Sequence, residues 1–177
     1  MRIISGSLGS RRIDTPNNLP VRPTTDMAKE ALFNILNNKY YLEDLSVLDL
    51  FSGTGNISYE FFSRGSESIS CVEQNFKCIN FIKEVKEKFE MDSLQVVQSD
   101  CFSFLNTVKD KYHIIFADPP YDMPNYEDVI NTVFSRDLLL EDGMLIMEHS
   151  KNTNLSQNKY FSEKRKYGGV NFSFFKK

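Results

Sequence analysis

The sequence predicts an α/β fold, a mostly parallel sheet with helices packed on both faces. Three observations carry this. Short apolar runs alternate along the chain with stretches whose apolar residues recur at helical spacing. The first apolar run, Ser46–Phe51, ends in Ser52-Gly53-Thr54-Gly55, a tight turn of the kind that lets a buried strand feed a helix. Residues 160–175 break the alternation and read as two strands joined near Gly168-Gly169, an antiparallel hairpin.

In chain order, Arg22-Pro23-Thr24-Thr25 opens the first helix, with Thr24 or Thr25 as N-cap, because a hydroxyl there accepts from an amide the helix leaves free. Ala28, Ala31, Leu32 and Ile35 then share one helical face. After the strand at 46–51, a helix through Tyr59, Phe61 and Phe62 stops at Gly65. Ser68–Glu73 is the second strand, and Ile79, Ile82, Val85 and Phe89 stripe the next helix. Leu94–Gln98 is the third strand, Phe102–Val108 a short helix, and His113–Ala117 a fourth strand running into Asp118-Pro119-Pro120-Tyr121. Tyr126–Phe134 is helical and Met144–Glu148 is the fifth strand. Sheets of this kind bind ligands past the carboxyl ends of their strands, so residues just after strands are the candidates for a site.

Composition narrows the class. The 177 residues are 41% hydrophobic and 25% charged, close to globular averages, which excludes a disordered or fibrous chain. Cys71, Cys78 and Cys101 form no CxxC pair, so neither a metal site nor a disulfide framework is expected, and all three read as small buried hydrophobes. His113 and His149 read as packing residues. The start, Met1–Gly6, lacks the apolar core of a signal peptide and no apolar run approaches spanning length. A cytoplasmic protein without membrane contact is therefore expected, and a monomer on grounds of size. The net charge of −3 hides a pattern. Residues 1–39 carry six basic and three acidic side chains, residues 151–177 seven and one, and residues 40–150 eight and twenty. Basic ends suited to a polyanion flank an acidic middle.

Four places carry chemistry. Asp49-x-Phe51-x-Gly53-x-Gly55 lets backbone approach a ligand at a helix N-terminus, but Ser58 stands where a dinucleotide fingerprint has its third glycine. Glu73 closes the second strand, where an acid accepts ribose hydroxyls. Asp100 follows the third strand, placed to accept from an exocyclic amine. Three acids at successive strand ends suit a cationic nucleoside cofactor and suit a pyrophosphate poorly. Asp118-Pro119-Pro120-Tyr121 is the strongest signal: two prolines make a rigid turn whose carbonyls face outward, a carboxylate and a carbonyl together accept from one amine, and Tyr121 offers a face for a base.

These motifs resemble those of class I S-adenosylmethionine-dependent methyltransferases that modify exocyclic amines. The opening Arg2-Ile3-Ile4-Ser5-Gly6, then Arg22-Pro23-Thr24-Thr25-Asp26 leading into Glu30-Ala31-Leu32-Phe33-Asn34, and the tail Lys166-Tyr167-Gly168-Gly169 resemble the bacterial RsmD family, 16S ribosomal RNA guanine-N2 methyltransferases. The resemblance spans nearly the whole chain. It implies a Rossmann-like, seven-stranded sheet in one domain of residues 1–177, with a basic extension and first helix over 1–39 and a catalytic core over 40–177. It implies S-adenosylmethionine as cofactor, S-adenosylhomocysteine as product, no metal, and 16S ribosomal RNA or the small subunit as partner. By the same resemblance Asp49 lies near the cofactor's ammonium, Gly53 and Gly55 wrap its methionine part, Glu73 takes the ribose and Asp100 the adenine amine, with Phe51 and Cys101 beside them. Asp118 and the Pro119 carbonyl hold the guanine N2 amine, Tyr121 stacks on the base, and either Asp118 or water takes the proton. Arg11, Arg12, Arg22 and Thr24 contact RNA. The same motifs leave open adenine-N6 methylation of DNA, a nucleotide-binding module without catalysis, and a dehydrogenase on the same sheet.

Overall fold

A computed structural model describes residues 1–16, 19–20 and 24–177. Seven strands form one sheet in the order β3-β2-β1-β4-β5-β7-β6. They are β1 (Ser46–Leu50), β2 (Ser68–Glu73), β3 (Leu94–Gln98), β4 (Tyr112–Ala117), β5 (Leu139–Ser150), β6 (Phe161–Tyr167) and β7 (Val170–Phe175). The first five pair in parallel, and β7 lies antiparallel to both β5 and β6. Helices α1 (Asp26–Asn37), α2 (Asn56–Ser63), α3 (Phe76–Lys88), α4 (Cys101–Thr107) and α5 (Tyr126–Ser135) supply the crossovers and the two outer layers. This is the Rossmann-like arrangement expected from the sequence. No helix among the described residues is long and apolar enough to cross a membrane.

Two apolar layers sandwich the sheet. One contains Leu32, Phe33, Leu36, Tyr59, Phe61 and Phe172; the other contains Leu105, Val129, Ile130, Leu145 and Phe175. β1 and β4 are buried on both faces, which is why they read as unbroken apolar runs rather than alternating ones. The strand order turns back at β1, flanked by β2 on one side and β4 on the other, leaving a crevice past their carboxyl ends.

Two elements differ from their expected form. The buried face of α1 is Ala28, Lys29, Leu32, Phe33 and Leu36, whereas Ala31 and Ile35 are only half-buried. The helix is rotated because Lys29 is drawn inward, its ammonium 3.3 Å from the Glu60 carboxylate with both side chains fully buried. The fifth strand runs twelve residues, not five, starting at Leu139. Its exposed Glu141 and Asp142 interrupt the apolar pattern at an irregularity, where Asp142 has φ of 60° and the register with β4 shifts between Leu139 and Met144.

The N-terminal segment folds over α2. Arg2 and Arg12 form an antiparallel bridge, and the Ile4 and Ser5 amides donate to the two Glu60 oxygens at 2.8 and 3.1 Å. Arg64 donates to the same carboxylate at 2.8 Å, and Lys29 also donates to the Arg2 carbonyl at 2.7 Å and to Asn56 Oδ1 at 2.8 Å. A carboxylate accepting from two backbone amides and two cations meets the condition under which a buried ion pair is tolerated.

Candidate active site

A cavity of about 700 Å³ opens past the carboxyl ends of β1, β2, β4 and β5. Four carboxylates line it, Asp49, Glu73, Asp118 and Glu148, and among the described residues its wall holds no lysine or arginine. Such a lining attracts a cation and repels a pyrophosphate.

Asp49 lies near the end of β1 and is 1% exposed. Ser58 Oγ donates to its Oδ2 at 2.6 Å, and burial pushes its carboxyl up to about 7 although that hydroxyl favours the ionised form. The residue that breaks the dinucleotide glycine pattern thus holds the acid of the preceding strand. Phe51 follows with φ of 61°, an unusual conformation for a non-glycine residue, and lines the cavity. Gly53 also lines it, and its amide donates to Glu73 Oε2 at 2.9 Å. Glu73 Oε1 accepts from the Asn75 amide at 2.7 Å, so the two backbone groups fix the carboxylate at the strand end.

Gly55 and Asp100 behave differently from expectation. Gly55 is the N-cap of α2 with φ of 79°, and a Cβ there would lie 2.6 Å from the Tyr59 ring. It serves the turn and the packing of Tyr59 and does not reach the cavity wall. Asp100 caps α4, its Oδ1 accepting from the Ser103 amide at 3.0 Å, and it too is absent from the wall. Its neighbours Ser99 and Cys101 stand there instead. The Cys101 thiol is buried and pushed up to about 12 by that burial, as expected of a packing residue.

On the opposite wall, Asp118 follows β4, its amide 3.5 Å from the Leu50 carbonyl. Its carboxyl is driven well above the ordinary range by burial, then by the charges of Glu148 and Asp49. The prolines divide the work. The Pro120 carbonyl is occupied, accepting from the Met123 amide at 2.9 Å and the Tyr126 hydroxyl at 3.3 Å, so only one of the two expected outward carbonyls is available. The Pro119 carbonyl accepts from no described residue. Tyr121 is 54% exposed and lines the cavity, with its hydroxyl bonded to Glu148.

Glu148 escaped the sequence reading. It ends the apolar run of β5, is 3% exposed, and accepts from Thr24 Oγ1 at 3.2 Å. Burial pushes its carboxyl up to about 7, opposed by the Thr24 and Tyr121 hydroxyls. The rule that singled out Asp49 and Glu73, an acid at the carboxyl end of a strand, also applied to it. Thr24 therefore faces the acid-lined cavity, while Arg11 and Arg12 are exposed on the N-terminal segment and do not line it. Arg22 lies outside the described residues.

The family model described as conserved hypothetical protein 95 matches residues 1–176. Ribosomal RNA small subunit methyltransferase D of Buchnera aphidicola (subsp. Baizongia pistaciae) is 30% identical, covering 87% of this chain and 78% of its own. The chain belongs to the RsmD family of methyltransferases. The YlbH protein of Bacillus subtilis is 30% identical over 100% of this chain and 99% of its own. Among solved structures, yhhF of Escherichia coli superposes with a TM-score of 0.86 at 26% identity, covering 99% of this chain and 96% of that one. Membership extends to the N-terminal segment and the C-terminal hairpin, since the match runs almost end to end.

Proposed function

We propose that this chain transfers a methyl group from S-adenosylmethionine to the exocyclic N2 amine of a guanine in the 16S ribosomal RNA of the small subunit. The observation that carries the reading is the Asp118-Pro119 turn, a half-buried carboxyl beside a carbonyl with no described donor, in the wall of a cavity lined by four acids. Relatives named for methylation of small-subunit ribosomal RNA support the substrate class.

The residues fit the cofactor's chemistry: a wall of carboxylates without lysine or arginine among the described residues suits a cation carrying an ammonium and a sulfonium. Asp49 would face the ammonium, Glu73 the ribose hydroxyls, and the Gly53 loop the methionine part. When bound, the cofactor supplies an electrophilic methyl carbon whose bond to sulfur breaks, with its electron pair going to sulfur, as the bond from N2 forms. Guanine N2 is a weak nucleophile because its lone pair is shared with the ring. Asp118 and the Pro119 carbonyl accept its two hydrogens and orient that lone pair, a contribution of positioning and of placed acceptors. Asp118 or water then takes the proton shed by the alkylated nitrogen. Tyr121 stacks on a base that has left its helix, an extrusion costing a few kcal/mol.

The test is transfer of tritiated methyl to unmodified small-subunit RNA and particles, with the labelled nucleoside identified by mass spectrometry. N2-methylguanosine is expected; N6-methyladenosine as sole product overturns the reading. Asp118→Ala is expected to abolish transfer while S-adenosylhomocysteine still binds.

A further inference from the structure

The RNA-guanine reading accounts for Asp118, Pro119 and Tyr121 and gives Glu148 nothing to do, yet Glu148 is a buried acid of the cavity wall held by two hydroxyls. Register places it: Ala117, the last residue of β4, pairs with Met147, so Asp118 and Glu148 each follow one member of that pair, and both line the cavity. Its support is built. Thr24 Oγ1 donates to Oε2 at 3.2 Å, the Thr24 carbonyl accepts from Asn56 Nδ2 at 3.0 Å, and Asn56 Oδ1 accepts from the buried Lys29 ammonium at 2.8 Å. The Tyr121 hydroxyl supplies a second bond to the carboxylate.

An ionised carboxylate has about four acceptor positions, so two hydroxyl donors leave it able to accept more. No lysine or arginine among the described residues of the wall neutralises it. A buried acid held in one orientation by neutral donors, with capacity left facing a cavity, is matched to a ligand that brings hydrogen-bond donors. Guanine brings two adjacent ones on its Watson–Crick edge, the N2 amine and N1–H. With the amine on Asp118 and the Pro119 carbonyl, N1–H falls on the neighbouring acceptor. Adenine in the same orientation would present an N1 lone pair to that carboxylate and be repelled.

We infer that the Glu148 carboxylate accepts N1–H of the target guanine, making the Asp118–Glu148 pair the element that selects guanine over other amino-bearing bases. The inference rests on the guanine-N2 reading above. Glu148 is then a specificity-determining residue, and Thr24, acting through it, a positioning residue.

The experiment compares RNA carrying the guanine that the wild-type enzyme labels with the same RNA carrying 2-aminopurine there, which keeps the N2 amine and lacks N1–H. Two ratios are measured, of kcat/KM and of Kd with S-adenosylhomocysteine present. Wild type is expected to favour guanine by about 10- to 100-fold in both. Glu148→Gln is expected to bring the ratios to within about threefold of unity or invert them, because its amide donates to the unprotonated N1 of 2-aminopurine. Unchanged ratios in a Glu148→Gln protein that still binds S-adenosylhomocysteine overturn the inference and leave the guanine-N2 reading standing. Thr24→Val keeps the carboxylate and removes one donor, and is expected to lower both ratios in the same direction by a smaller factor. Should Glu148→Gln fail to fold, unchanged ratios in Thr24→Val overturn the inference. A wild-type enzyme that labels no guanine N2 fails at the first step, before any variant is compared, and overturns both readings.

Discussion

Asp118, the first residue past β4, and Glu148, within β5, stand one step beyond the Ala117–Met147 register pair, with no lysine or arginine among the described residues of the wall they share. Two carboxyl groups so placed do not both ionise readily in water's absence, and their titrations belong to the pair. Burial is the larger cause of the rise at Asp118, and the Glu148 charge the next.

This sets the pH dependence of transfer. The acceptors of the guanine edge must be ionised, so activity should rise with pH along a limb above the ordinary carboxylate range, since burial raises both Asp118 and Glu148, the latter to about 7. Removing the Glu148 charge removes one cause of the rise at Asp118 while leaving its burial. The limb of kcat/KM in Glu148→Gln should therefore move to lower pH without reaching the ordinary carboxylate range. A pH–rate profile whose limb stays at the wild-type position would show that the two groups do not interact.

The same acids strain the fold, and the sign is fixed. Asp49 binds its proton up to about pH 7 when folded and only to the ordinary carboxylate range when unfolded. Between those values the native state holds more protons, so stability falls as pH rises through that window. Asp49→Asn removes the penalty, with an expected gain of about 1–3 kcal/mol at pH 8 and a much smaller one at pH 5, read from urea unfolding at both. Affinity for S-adenosylmethionine should fall in the same variant, because the cation loses its counter-charge. A variant no more stable than wild type at pH 8 would contradict the assignment.

The strands and helices were legible because periodicity changes at nearly every boundary, and Asp49, Glu73 and Asp118 because a strand end is visible as an apolar run that stops. Glu148 was open to the same rule, since the apolar run Met144-Leu145-Ile146-Met147 stops at it; what no local pattern shows is its bond to Thr24, 124 positions away in the chain. Lys29 was hidden. Helical spacing assigns a lysine to the solvent side, and partners 27 and 31 positions away, Arg2, Asn56 and Glu60, make it a core residue. Long-range pairing of charges has no local signature. Asp100 shows the converse, since an acid before a short helix is also an ordinary N-cap, and that is the bond it makes here.

The Glu60 network predicts a structural rather than chemical defect. Glu60→Ala would leave the Ile4 and Ser5 amides without their acceptor and the buried Lys29 ammonium without its counter-charge. Breaking a buried pair on one side costs about 3–5 kcal/mol, a large part of a domain's stability. Amide exchange should accelerate first at residues 1–13, which these bonds tie to α2. Lys29→Met should cost less than Glu60→Ala, because Arg64 and both amides still satisfy the carboxylate. Equal losses, or protection of the N-terminal segment in Glu60→Ala, would refute this order.

The distribution of charge yields the last prediction. A cavity walled by acids repels the phosphates of the RNA it must admit, so attraction has to come from elsewhere on the surface. Arg11 and Arg12 are exposed on the segment that folds over α2, and Arg22 precedes by two positions the threonine that bonds Glu148. Replacing the three arginines by glutamine should weaken binding to small-subunit RNA across sequences. For every phosphate left without its arginine, the slope of log affinity against log salt should flatten by about 1. Calorimetry with S-adenosylhomocysteine should show cofactor affinity unchanged, because none of the described lining residues is altered. A salt slope equal to that of wild type would make these arginines solubilising surface and shift the search for the RNA-binding face to the basic C-terminal residues 151–177.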